Sequence, residues 1–154
     1  MGNNKITILY VDDEMNNLIS FKAVFRIKYN VLTAISGEEA IKILKNNNVD
    51  IIITDQRMPN MTGVEFLESI LGEYPDPIRI LLTGYADMNA VIDAVNKGKI
   101  FHYLTKPWNE EELDMTITRA YDVYRSRMEE KEMTQKLSLS NEQLEFLLRQ
   151  KLLS

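Results

Sequence analysis

Three aspartates stand at the ends of apolar runs. Asp12 and Asp13 follow Ile6-Thr7-Ile8-Leu9-Tyr10-Val11, and Asp55 follows Asp50-Ile51-Ile52-Ile53-Thr54. Two bare carboxylates about 4 Å apart repel by roughly 4 kcal/mol at an effective dielectric of 20, and a third adds to this. Such a group must protonate, bind a cation or meet a base. With no cysteine and one histidine in the chain, its oxygen donors select Mg²⁺, Mn²⁺ or Ca²⁺ over zinc. Two further apolar runs end in Thr83-Gly84 and in Thr105-Lys106-Pro107. Lys106 offers a single ammonium suited to a phosphoryl oxygen, and Thr83 offers a hydroxyl donor. This is equipment for phosphoryl transfer, which needs positioning and charge neutralisation. A carboxylate is the available nucleophile, since no Ser-His or Cys-His pairing is at hand. Taken singly, the residues have plainer readings. Asp12-Asp13 could cap a helix, and Lys106-Pro107 is an ordinary loop dipeptide. Their conjunction at four strand ends carries the chemistry.

The elements that must position them are legible. Residues 6–11, 50–54 and 78–82 are short, apolar and β-branched, as strands of a parallel sheet covered on both faces would be. Weaker strands fit at 29–35 and 100–104. A first helix at 16–26 places Leu18, Phe21 and Phe25 on one face. Capping boxes open helices at Ser36-Gly37-Glu38-Glu39 and Thr62-Gly63-Val64-Glu65. A fourth helix, 87–97, carries Met88, Val91, Ile92 and Val95 inward, with Gly98 placed for a left-handed cap. Asn109 and three glutamates begin a fifth, whose acids complement the helix dipole. Strand and helix alternate five times, which predicts an α/β flavodoxin-like doubly wound sheet in the order 2-1-3-4-5. Ligands of such sheets bind beyond the carboxyl ends of the strands.

Composition narrows the class. The 154 residues suit one domain with an extension, and 45% are hydrophobic, enough for a core. The net charge of -5 argues against nucleic-acid or anionic-membrane binding through bulk electrostatics. Met1-Gly2-Asn3-Asn4-Lys5 lacks a signal peptide's apolar core, and no apolar run approaches the roughly 20 residues needed to cross a bilayer. These features predict a cytoplasmic protein.

Five segments, Leu9-Tyr10-Val11-Asp12-Asp13-Glu14, Thr54-Asp55-Gln56-Arg57-Met58-Pro59, Met61-Thr62-Gly63, Leu82-Thr83-Gly84-Tyr85-Ala86 and Tyr103-Leu104-Thr105-Lys106-Pro107-Trp108, resemble the response-regulator receiver domains of two-component signalling. The likeness covers about the first 125 residues, and no member of the family's key residue set is missing. It implies that Asp55 is the phosphoacceptor. It further implies that Mg²⁺, or Mn²⁺, is held by Asp13, Asp55 and the backbone carbonyl of Arg57, with Asp12 on a metal-bound water. Lys106 would pair with the phosphoryl group and Thr83 would donate its hydroxyl to it. Tyr103 would turn inward as Thr83 moves. Glu14 takes a helix-start role, and Arg57 and Tyr85 flank the site and bear on the lifetime of the phosphoryl group. The implied partner is a sensor histidine kinase. The implied activity is a switch, not an enzyme beyond its own phosphotransfer and slow autodephosphorylation. Residues 82–87 with 98–108 are similar to receivers preceding HD-GYP phosphodiesterases, nucleotide cyclases or transcriptional activators.

Other features have structural readings. His102, of opposite strand parity to Tyr103, suits packing or partial exposure. Pro107 and Trp108 shape the start of the last helix, and Met58 and Met61 are packing filler. Residues 126–154 form a helical tail without Pro or Gly. Met133, Leu137, Ser140, Leu144 and Leu147 recur at spacings of four and three, a coiled-coil seam. Leu139, Phe146 and Leu153 widen the stripe. The division is thus a receiver at 1–125 and a tail at 126–154, pairing as a homodimer or joining an output domain. Two other classes compete. A Mg²⁺ phosphohydrolase with an aspartyl nucleophile would want a second acid, where Gln56 and Arg57 follow Asp55. A phosphorylation-independent interaction module would not need the intact acids, Thr83 and Lys106.

Overall fold

The computed structural model describes residues 5–153; residues 1–4, Ser154 at the end of the tail and the Tyr85 side chain lie outside it. The apolar runs form β1 (Thr7–Val11), β2 (Asn30–Ala34), β3 (Ile51–Asp55), β4 (Ile78–Thr83) and β5 (His102–Thr105). They pair in parallel in the order β2-β1-β3-β4-β5. Between and after them lie α1 (Met15–Phe25), α2 (Gly37–Asn46), α3 (Gly63–Ile70), α4 (Met88–Asn96) and α5 (Glu110–Leu153). Every residue of β3 and β4 is buried, as a sheet covered on both faces requires.

Strand alternation sends the side chains into two cores. Tyr10, Ile53 and Ile80 pack with Phe21 and Phe25 of α1 and with Leu113 and Ile117 of α5. Leu9, Val11, Ile52 and Leu81 face Ala40, Phe66, Leu67 and Val91 of α2, α3 and α4. Phe21 stacks on Tyr10 with ring centroids 4.1 Å apart, and burying a ring of this size is worth about 1.5–3 kcal/mol.

Local signals set the helix ends. Thr62 and Glu65 form the full reciprocal box at α3. At α2 only half of the expected box forms: Ser36 accepts from the Glu39 N–H, but the Glu39 carboxylate reaches back to the Ile35 N–H. Gly98 is left-handed with φ 74°. The N–H groups of Gly98 and Lys99 return to the carbonyls of Val95 and Ala94, closing α4 as a Schellman motif. The inward face of α4 differs from expectation. Val91 and Ala94 are buried, Met88 and Val95 are half-buried, and Ile92 is 43% exposed. One residue along a helix is a turn of about 100°, which carries Ile92 off the strip that Val91 occupies. The fifth strand also begins later than residue 100, because the Gly98 turn and the Phe101 N–H to Arg79 carbonyl bond come before pairing starts at His102 with Ile80.

The last helix is unbroken over 44 residues, about 66 Å at 1.5 Å per residue. Its first turns bury Leu113, Thr116, Ile117 and Ala120. From residue 129 onward every described side chain is exposed. Among the described residues, no helix is long and apolar enough to cross a membrane.

Candidate functional site: a carboxylate pocket at the sheet edge

Because β1, β3, β4 and β5 are parallel and in register, their carboxyl ends share one edge. This brings the predicted residues together. One carboxylate oxygen from each of Asp12, Asp13 and Asp55 lies within 4.8 Å of the others. Asp12 is fully buried, Asp55 nearly so, and Asp13 half-exposed.

Asp12 is locked in place. Its Oδ1 accepts from the Glu14 N–H at 3.0 Å. Its Oδ2 accepts from the Tyr10 hydroxyl at 3.0 Å and from Asn17 Nδ2 at 3.1 Å. Burial, then the negative charge of Asp12, pushes the Tyr10 hydroxyl well above its ordinary range, so it remains a donor. Asp55 faces the opposite charge: Lys106 Nζ is 2.7 Å from its Oδ1. Burial nevertheless holds the Asp55 carboxyl above its ordinary value; Lys106 opposes this, and Asp12 and Asp13 reinforce it. Burial pulls Lys106 down, but the hydrogen bond to Asp55 and the charges of Asp55, Asp12 and Glu14 outweigh it, and the net shift is upward. The pair is therefore an ammonium against a carboxylate that carries its charge at a cost.

The backbone around Asp55 is clamped. Gln56 N–H donates to the Leu82 carbonyl and Gly63 N–H to the Gln56 carbonyl, each at 3.0 Å. The buried Gln56 amide oxygen accepts from the Val64 N–H at 2.9 Å. Gly63 lies so close that a Cβ there would sit 2.4 Å from the Asp55 carbonyl oxygen. Thr83 is fully buried, and its hydroxyl donates to the Gly84 carbonyl at 3.1 Å instead of to Asp55. Lys106 is fixed through its N–H to the Thr83 carbonyl at 2.9 Å, and the peptide bond to Pro107 is cis.

The remaining predicted residues sit at the margins. Tyr103 is half-buried against the α2–α4 core, and His102 is exposed on the other side of β5. Trp108 packs on Phe21 and Phe25 as α5 begins. Met58 and Met61 join the core below the loop after β3. Arg57 lies two residues beyond Asp55, with its exposed side chain on Asp87 at 3.1 Å. The sequence reading did not find Tyr10 and Asn17 as holders of Asp12, the Gln56 staple, or the Arg57–Asp87 pair. Asn17, about one helical turn past Asp12-Asp13, was the one available signal.

The donors fit a hard divalent cation. Ligands of Mg²⁺ at 2.0–2.1 Å stand about 3–4 Å apart. Three carboxylate oxygens within 4.8 Å of one another can reach such an ion directly or through a water.

Over residues 8–118 the chain matches the family described as response regulator receiver domain. It belongs to that family. Hydrogenase transcriptional regulatory protein HoxA of Bradyrhizobium diazoefficiens is 37% identical to this receiver over 123 residues, 80% of this chain and 25% of its own. The adenylate cyclase structure from Rhodopirellula baltica superposes with a TM-score of 0.83 at 29% identity, covering 86% of this chain and 98% of that one. The response regulator protein TrrA from Thermotoga maritima, solved in complex with Mg(2+)-BeF, superposes at 0.66 with 31% identity, covering 75% of this chain and 98% of that one. The receiver spans about a quarter of the length of the curated relatives it matches.

Proposed function

We propose that this receiver accepts a phosphoryl group on Asp55 from a sensor histidine kinase or a small acyl phosphate. The observation that carries the reading is the Asp55 carboxylate, half-neutralised by Lys106 at 2.7 Å and crowded by Asp12 and Asp13. An oxygen of Asp55 attacks phosphorus, the bond from phosphorus to the donor breaks, and an acyl phosphate forms while the donor leaves with the electron pair. Asp13, Asp55 and the Arg57 carbonyl would hold Mg²⁺ directly and Asp12 through water, and Mn²⁺ would suit the same donors. Bound there, the metal would supply positive charge against the phosphoryl oxygens. Lys106 stays with the phosphoryl group as its cation. Thr83 turns its hydroxyl from Gly84 to the new acceptor, Tyr103 moves into the space, and the face of α4, β5 and α5 repacks. Gln56, its amide bound to Val64, and Arg57 offer no leaving-group acid after Asp55, which favours a switch over a phosphohydrolase.

The receiver comprises residues 1–125, and the tail, 126–154, pairs with a second copy and carries the change outward to an output domain. Met133, Leu137, Leu144 and Leu147 stand 58–62% exposed along one seam, and an isolated helix of this kind is marginal without a partner. A phosphodonor made from ATP sets the reaction in the cytoplasm.

Incubation with Mg²⁺ and labelled acetyl phosphate tests the first step: the wild type should take up label and Asp55→Asn should not. Equal labelling of the two would refute Asp55 as acceptor. For the tail, sedimentation should give two chains for the wild type and one for Leu144→Lys, whereas a monomeric wild type would remove the dimer from the account.

A further inference from the structure

The beginning of α4 is built unlike its neighbours. Ser36 and Thr62, at the N-caps of α2 and α3, have extended backbones, and each accepts a hydrogen bond from the third residue of its helix. Asp87 occupies the same position at α4 with a residue type that caps well, yet it makes no side-chain cap bond. Its backbone, at φ -108° and ψ 12°, lies outside the extended region that capping uses. The carboxylate is taken instead by Arg57 Nε at 3.1 Å, across from the loop that follows Asp55.

A second bond joins this pair to the site. The Gly84 carbonyl accepts both the Thr83 hydroxyl at 3.1 Å and the Asp87 N–H at 3.3 Å. Thr83 and Asp87 thus close the two ends of one turn, Gly84 with the 3₁₀ segment Tyr85–Asp87, on a single oxygen. Arg57 holds the far end. Its own attachment is firm, because Gln56 just before it is fixed through both backbone and side chain.

We infer that the Arg57–Asp87 ion pair is a latch on the unphosphorylated arrangement of the β4–α4 turn. It keeps Asp87 away from the α4 N-terminus and the turn closed on Gly84, with the Thr83 hydroxyl facing away from Asp55. When Thr83 swings to the phosphoryl group, the Gly84 oxygen loses a donor and the turn loosens. Arg57 then releases Asp87, whose carboxylate is free to cap the open N–H groups of α4. Arg57 and Asp87 are therefore positioning residues, acting on the reaction through Gly84 and Thr83. The latch rests on the phosphorylation reading above, since it opposes the step that Thr83 makes there.

The test is beryllofluoride binding at saturating Mg²⁺, followed by the fluorescence of Trp108, the one tryptophan in the chain, which adjoins Lys106 through Pro107. Releasing an exposed ion pair that favours one state should tighten binding by about two- to fivefold, in Arg57→Ala and in Asp87→Ala alike. A through-space charge effect on the anion would move the two variants in opposite directions, Arg57→Ala weakening it. The double variant Arg57→Asp/Asp87→Arg, which restores a pair, should return to the wild-type affinity. Opposite shifts, unchanged affinities, or a swap that stays tight would each overturn the latch while leaving the phosphorylation reading in place. A wild type that binds no beryllofluoride at all would overturn both.

Discussion

Replacing Asp55 by asparagine should stabilise the metal-free fold even as it abolishes the switch. Asp12 and Asp13 each bring a carboxylate oxygen within 4.8 Å of one on Asp55, so at an effective dielectric of 20 each repels it by at least about 3.5 kcal/mol, about 7 kcal/mol together. Lys106, at 2.7 Å, returns about 6 kcal/mol on the same scale, less whatever solvent screens from a side chain 34% exposed. The balance is against the charged form, in line with the upward shift of the Asp55 carboxyl. Asp55→Asn removes both repulsions, and the surplus is about 1 kcal/mol, or about 2–4 °C in Tm for a chain of this size. The sign with pH follows from linkage. A carboxyl raised in the fold contributes stability below its ordinary value of 3.8 and loses it as pH climbs through the higher folded value. The advantage of the variant should therefore be absent below pH 3.8 and grow above it. Thermal unfolding in EDTA across pH, at one protein concentration, measures this. Added Mg²⁺ should reverse the order by raising the Tm of the wild type more. A variant less stable than the wild type in EDTA at neutral pH would refute the reasoning.

Other substitutions probe the scaffold. Gly63→Ala places a methyl 2.4 Å from the Asp55 carbonyl and 2.8 Å from Leu81 Cδ1; denaturant melts should show a loss of about 1–3 kcal/mol, with weaker beryllofluoride binding. Thr62→Ala removes the α3 cap and its reciprocal bond, and should cost about 1 kcal/mol in the same measurement. Asp114, on α5, accepts from Lys28 at 2.7 Å and from the Tyr29 hydroxyl. Burial raises its carboxyl, but those two bonds outweigh it and hold it below 3.8. Asp114→Asn should thus lower the Tm above pH 3.8, and the difference should fade as pH falls through the depressed folded value.

Much of this was legible in the residue string, for identifiable reasons. Short, β-branched runs such as Ile51-Ile52-Ile53 read as strands buried on two faces, and their alternation with helices points to a doubly wound sheet. The carboxylates, Thr83 and Lys106 were found because they terminate those runs. Gly98 followed from the backbone conformation a helix end requires. The misses have one cause, that sequence spacing does not say where a neighbouring element stops. Ile92 was placed inward with its apolar neighbours, but the buried positions of α4 are Val91 and Ala94, and Ile92 lies about 100° round the helix from Val91. Asn17 meets Asp12 only once α1 has settled on β1, and Arg57 finds Asp87 across 30 residues of chain. No local pattern announces the second pair.

The central claim is that one particular carboxylate accepts the phosphoryl group. Borohydride reduction of the phosphorylated chain, which converts an acyl phosphate on aspartate to homoserine, followed by peptide mass spectrometry, reads the position directly. Homoserine at residue 55, dependent on Mg²⁺, is the predicted result. Conversion at residue 12 or 13, or an intact Asp55 in a labelled protein, would contradict the account.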